Sequence, residues 1–151
     1  MRSKLLYWLA VHTLVVASLS IFVAIFWLVY PYNPIVITHD PFPVLNKNKV
    51  VHSGEVLVYR SSSCRNFIGE IRVHRTLVNH SLIDFPDSSF HQQKKECRIF
   101  DNRTLLIPSY APSGKYKLKI SNFVQVNPIR TISVTAETEE FTVINKHDES
   151  R

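Results

Sequence analysis

Apolar positions are distributed along this chain in two sharply different ways. From Leu5 to Tyr30 they run without a single charged residue, in "LLYWLAVHTLVVASLSIFVAIFWLVY". A helix of that length covers about 39 Å at 1.5 Å per residue, more than the roughly 30 Å of bilayer hydrocarbon. Beyond it the apolar residues come in short runs rich in Val, Ile, Thr and aromatics, broken by turn residues, and no window keeps a helical period. The pattern predicts one transmembrane helix followed by an all-β domain.

The runs can be placed individually. "GEVLVYRS" is apolar on both faces and reads as a central strand, whereas "EIRVHRTLV" alternates, with Ile71, Val73 and Leu77 on one side and Arg72, His74 and Thr76 on the other. "HSLIDF" is a shorter strand, "FHQQKKE" a polar crossing, and "RTLLIP" a strand ended by Pro108. In "GKYKLKISNFVQV" the positions Tyr116, Leu118, Ile120, Val124 and Val126 share one face and Lys115, Lys117 and Lys119 the other. "RTISVTAE" and "EEFTVI" complete the set, with an expected core of Val56, Val58, Val73, Tyr116, Leu118, Ile120 and Val143. Four of the eight prolines fall in residues 31–43, which predicts a stiff extended linker with an edge strand at Ile35 to Thr38. The expected organisation is a cytoplasmic N-terminus (1–4), a transmembrane signal anchor (5–30), the Pro-rich linker (31–43), a β-sandwich (44–145) and a polar tail (146–151).

A cleaved signal peptide is the alternative to an anchor. Its best cleavage region, Ala17-Ser18-Leu19-Ser20, is followed by ten more membrane-compatible residues, so retention is the expected outcome. Tyr7 and Trp8 at one end, with Trp27, Tyr30 and Tyr32 at the other, are spaced like aromatic belts. Arg2 and Lys4 precede the run and no basic residue follows until Lys47, which keeps the N-terminus cytoplasmic and exports the rest.

Charge and cysteines narrow the function classes. Taking Arg2 and Lys4 from the 18 basic residues leaves 16 against 12 acidic ones, scattered and with no nucleic-acid-reading motif. Cys64 and Cys97 are the only cysteines, and in an oxidising compartment they predict one disulfide. A metal site recruiting His74, His80 or His91 lacks any preorganising spacing. Gly54, Gly69 and Gly114 are too far apart for a phosphate loop or dinucleotide fingerprint, and no G-x-S-x-G elbow exists. Asp84, Asp87 and Glu96 with His80 and His91 are the one conceivable acid–base group, more simply read as solvated residues. No catalytic, cofactor or metal residue is assigned, and the expectation is a non-enzymatic binding protein. Asn79-His80-Ser81 and Asn102-Arg103-Thr104 are glycosylation acceptors by pattern, relevant only in a eukaryotic host.

Two rows are candidate contacts. Lys115, Lys117 and Lys119 can meet an anionic surface, although alternating Lys also keeps exposed strands soluble. Ala10, Thr13, Ala17, Ser20 and Ala24, continued by Trp27, recur at three- and four-residue steps and make a small-residue stripe for helix association. The expected partners are the lipid bilayer and a protein, or a second copy bound through the helix, and no nucleic acid. The alternative function is a membrane-active lysis or permeability factor regulated by its exported domain.

"IPSYAPSGKYKL" carries the most specific architectural signal: a Pro112-Ser113-Gly114 turn with a Tyr two residues later resembles the corner that introduces a late strand in immunoglobulin-like sandwiches. Leu118 stands where an antibody-type domain has its second cysteine, so the disulfide is not the standard inter-sheet one. The order of a short basic N-terminus, one span, "YPYNP", "PFPVLNK", a cysteine pair, "PSGKY" and "EEFTVI" resembles small single-pass membrane proteins of tailed bacteriophages with an immunoglobulin-like exported domain. That resemblance implies a bacterial inner membrane with the domain in the periplasm, and it implies no reaction.

Overall fold

The N-terminal apolar run forms a single helix, α1 (Arg2–Val29), with no Asp, Glu, Lys or Arg after Lys4. Its Lys4–Val29 part has a mean hydropathy of 2.4 and is long and apolar enough to cross a membrane. The computed structural model describes residues 2–30, 32–79 and 81–145. The polar tail expected at 146–151 lies outside them, as does His80. The chain divides into two compact units, Met1–Tyr32 with Asn127–Arg130, and Asn33–Val126 with Thr131–Arg151.

The second unit is mainly β. Its strands are β1 (Ile35–Ile37), β2 (Val50–His52), β3 (Val56–Arg65), β4 (Gly69–Val78), β5 (Leu82–Asp84), β6 (Ser88–Gln92), β7 (Glu96–Leu106), β8 (Gly114–Asn127), β9 (Arg130–Glu137) and β10 (Phe141–Ile144). One sheet is β1-β3-β7, antiparallel throughout. The other runs β2-β10-β8-β4-β5, with β6 also on β4 and β9 also on β8. β5 and β6 pair successive parts of β4, Thr76–Val78 and Gly69–Val73, because Phe85, Pro86 and Asp87 interrupt what is otherwise one edge. Residues 42–44 join the two sheets on one side: Phe42 bridges Thr138 and Val44 bridges Tyr59. The edge strand expected at Ile35 to Thr38 is β1, and the linker also packs at Phe42; Ile35 and Phe42 are each only 4% exposed, because β1 pairs with β3 and Phe42 stacks near Tyr59.

The period-two face of β8 carries the core. Tyr116, Leu118, Ile120 and Val124 are buried and meet Ile71, Val73 and Leu77 of β4 and Val143 and Phe141 of β10. Val126 is only partly buried against this cluster. β3 is central in its sheet, but its register is opposite to the expected one: Leu57 and Tyr59 face the core, while Val56 is 42% exposed and Val58 half-buried. An apolar run on both faces does not say which face is covered, and pairing with β7 put the odd-numbered residues inward. One expected crossing is part strand, and one expected strand is longer. "FHQQKKE" contributes β6, and β7 begins at Glu96, seven residues ahead of "RTLLIP". Polar residues at inward positions and a bulge hid the alternation there.

Cys64 and Cys97 form a disulfide and sit opposite each other on β3 and β7, within one sheet. The Tyr116 hydroxyl donates to the Pro112 carbonyl at 3.0 Å, four residues upstream, fixing the loop that enters β8. Gly54, at φ 83°, makes the turn that brings the chain from β2 into β3.

Candidate functional site: an arginine-lined cleft between two sheet edges

Strand alternation decides which side chains face the space between the sheets, and several of them are arginines. On β4 the inward series Ile71, Val73, Leu77 includes Arg75, which stands opposite Ile120. On β3 the series Leu57, Tyr59 continues through Ser61 and Ser63 to Arg65. On β7 one extra residue at Asp101–Asn102, relative to the Tyr59–Ser61 step of β3, puts both Phe100 and Arg103 inward. β6 adds Ser88, Phe90 and Gln92 from its own inward face. These residues line an open cleft of about 750 Å³ between the edges of β6 and β7, continuous in its lining with a small space of about 80 Å³ reaching Tyr59 and Asn122.

The guanidinium groups are held by neutral partners. Arg65 donates to Gln92 Oε1 at 2.8 Å and lies 4.6 Å from the Phe90 ring centroid and 5.5 Å from that of Phe100. Arg103 covers Phe100 at 4.0 Å. Arg75 donates to Ser88 Oγ at 3.0 Å. Such contacts keep a guanidinium in place without cancelling its charge. None of the three forms a salt bridge with a described residue. Lys94 and Arg98 at the mouth share the single carboxylate of Glu96, at 3.3 and 2.6 Å. Desolvation works against the ionised form of Glu96, yet Arg98 and Lys94 outweigh it and hold the carboxyl below its ordinary range. The cleft is thus lined by five cationic side chains and one carboxylate.

Two titrating groups register that imbalance. Burial pushes the Arg65 guanidinium down, and the neighbouring charges of Arg103 and Arg98 push it further, with Glu96 opposing. Burial raises the Tyr59 hydroxyl, while the charges of Arg75 and Arg103 and an Arg75 hydrogen bond pull the other way. Positive charge is crowded into a half-buried space where water screens it poorly. An anion there gains both attraction and bidentate guanidinium hydrogen bonds.

The residues singled out from sequence fall elsewhere. Lys115, Lys117 and Lys119 are exposed on the outer face of β8, where Lys115 pairs with Glu140 at 3.3 Å and Lys117 with Glu137 at 3.7 Å, so most of that row is neutralised. Ala10, Thr13, Ala17, Ser20 and Ala24 are exposed on α1; Thr13 and Ser20 donate their hydroxyls to the carbonyls of Leu9 and Val16, four residues back, at 2.9 Å each. Asp84 and Asp87 converge on His74, at 3.4 Å from Nε2 and 2.7 Å from Nδ1, while Glu96 stands apart on β7. Thr76 Oγ1 lies 3.1 Å from His74 Nε2, but Thr76 is buried and its hydroxyl donates to Asp84 at 2.7 Å, so this cluster holds no free nucleophile. Among the described residues no group of three or more His, Cys, Asp or Glu is placed to hold a metal ion.

Sequence reasoning passed over Arg65, Arg75, Arg103, Phe90 and Phe100. A signal for one of them existed: Arg75 interrupts the apolar set Ile71, Val73, Leu77 at the position where period two demands a fourth apolar residue. The chain matches no protein-family model and no curated protein.

Proposed function

We propose that the chain is a single-pass membrane protein whose C-terminal domain, an immunoglobulin-like sandwich on the periplasmic side of a bacterial inner membrane, binds an anionic partner in the arginine cleft and acts by binding, without catalysis. The apolar α1 and the Arg2/Lys4 flank support the anchor and its orientation. The Tyr116–Pro112 hydrogen bond and the pairing of two antiparallel-rich sheets around one core support the immunoglobulin-like reading. The disulfide fits an oxidising compartment. One observation carries the binding function: three inward-facing arginines held only by neutral groups in a cleft with one carboxylate. An unneutralised cluster of this kind is self-repelling in the free protein, and an anion relieves it.

The test uses the full chain reconstituted in neutral-lipid vesicles, with fluorescent polyglutamate and polylysine as probes. Polyglutamate binds, polylysine does not, and affinity falls as salt rises. An Arg65→Gln, Arg103→Gln pair lowers polyglutamate affinity at least tenfold, and a Lys115→Gln, Lys117→Gln pair changes it less than twofold. Equal losses from the two pairs, or no polyglutamate binding, overturn the reading.

A second reading, helix-driven assembly, rests on the small-residue stripe: with the Thr13 and Ser20 hydroxyls satisfied within α1, that face permits close approach of another helix at no unmet polar cost. On this reading the chain is a membrane-active lysis or permeability factor whose helix assembles under the control of the exported domain.

A further inference from the structure

The cleft is long and narrow in its arrangement of charge, and both its rims are backbone. β7 is hydrogen-bonded only to β3, and β6 only to β4, so among the described residues each leaves its outer edge without a strand partner. An open edge offers every second N–H and C=O to another chain. The inward cations are spread along the cleft over three strands and not gathered into a cup, with Arg65 on β3, Arg75 on β4, and Arg98 and Arg103 on β7. The rung Tyr59↔Arg103 marks one end and the rung Arg65↔Glu96 the other, six residue steps apart on β3, or about 20 Å. A single phosphate or carboxylate reaches a part of that row. A linear partner with charges repeated on one side reaches all of it.

We propose that the anionic partner of the cleft is an acidic peptide segment in extended conformation, added as a strand to the free edge of β7. This inference rests on the anion-binding reading of the same cleft. A peptide of about six or seven residues matches the length, and its side chains recur on one face roughly every 6.7 Å, so successive carboxylates on that face meet Arg65, Arg98 and Arg103 in the order of their rungs. Edge backbone supplies affinity and the inward arginines supply selection. Inward-pointing charges are also a device that keeps an edge strand from pairing with arbitrary neighbours. Here the two roles coincide: a neutral strand laid on β7 would bury guanidiniums without counter-charge, whereas an acidic strand neutralises them. The bulge at Asp101–Asn102 interrupts the ladder, so pairing is with Glu96–Phe100. The Cys64–Cys97 disulfide ties that part of β7 to β3 and keeps the receiving edge in place.

The experiment uses the full chain in detergent micelles and a blocked Glu-Thr-Glu-Thr-Glu-Thr-Glu peptide. Two further peptides of the same sequence carry N-methyl groups on the odd or on the even residues, and inorganic polyphosphate is the non-peptide anion. Binding is read by anisotropy, and the β7 edge by amide hydrogen exchange. The parent peptide binds, slows exchange within Glu96–Phe100, and loses at least tenfold on the Arg65→Gln, Arg103→Gln pair. One N-methylated peptide loses at least tenfold and the other binds like the parent, because only one set of amides faces β7. An Arg103→Lys variant, with unchanged exchange in β4 and β8, separates loss of the fork from loss of the fold; it weakens binding less than Arg103→Gln. If both methylated peptides bind like the parent, or β7 exchange is unchanged on binding, strand addition is overturned while anion binding stands. If neither the peptides nor polyphosphate bind, both readings fall together.

Discussion

Leu118→Ala tests the register on which the domain's core rests, with Val56→Ala as its counterpart. A reading of the runs alone puts both residues in the core. In the fold Leu118 is 0% exposed at the centre of β8, opposite Leu77, which is also 0% exposed, while Val56 is 42% exposed at the start of β3. Truncating a buried Leu to Ala costs about 2–5 kcal/mol, depending on how far the surroundings collapse into the space. Collapse is restrained here because β8 is flanked by strands on both sides. β4 pairs it through Leu77↔Leu118, and Thr138 returns a hydrogen bond to the Leu118 carbonyl while its hydroxyl accepts from the Leu118 N–H at 2.9 Å. The upper half of the range is therefore expected. Val56→Ala loses mostly strand preference, about 1 kcal/mol or less. The assay is native-state amide exchange of the full chain in micelles, read at β4 and β8 amides that open only with the whole domain. Leu118→Ala speeds their exchange roughly 300-fold to several-thousand-fold, and Val56→Ala by about fivefold or less, at 1.4 kcal/mol per factor of ten. Equal effects would mean that the inward face of β3 or β8 has been assigned to the wrong side.

Further outcomes can be checked by separate measurements. Tyr116→Phe removes the 3.0 Å bond to Pro112 but keeps the buried ring, and destabilises by about 1 kcal/mol, measured by urea unfolding. Reducing Cys64–Cys97, a separation of 33 residues, costs about 3–4 kcal/mol in the chain-entropy model, measured as the shift in unfolding midpoint between oxidised and reduced protein. Glu139 is held below the ordinary carboxylate range by Lys49 at 3.0 Å and by the Val44 N–H. The folded state then binds fewer protons than the unfolded one, so this contribution is present above the ordinary carboxylate pKa and is lost as pH falls through the lowered value; Glu139→Gln flattens that acid limb of the stability curve. In the membrane, Ala17→Ile with Ala24→Ile lowers helix association in a two-hybrid assay, whereas Val16→Leu with Val23→Leu does not; equal association of both with wild type removes the stripe from consideration.

Features that a short window of the chain contains are legible in the sequence. A charge-free run of 26 residues has one stable form in lipid, and α1 follows from it without reference to any other part of the chain. The alternation of β8 and β4 is equally local, since each side chain's face is settled by its own strand, and so is the turn that sets Tyr116 onto Pro112. Tertiary pairing decided what those windows could not. Val56 and Leu57 are both aliphatic, and only the alignment of β3 with β7 made Leu57 the buried one. In residues 31–43 the prolines mark an extended stretch and the strand at Ile35 is legible, yet the partners that Ile35 and Phe42 take, β3 and Thr138, lie far along the chain and only the fold chose them. The cleft was hidden for the same reason. Arg65, Arg75 and Arg103 stand on three strands, each an ordinary charged residue in its own neighbourhood, and a bulge in β7 was needed to turn Arg103 inward. Their convergence is a property of which edges the two sheets leave open, and charge brought together from distant positions leaves no pattern in any one stretch of sequence.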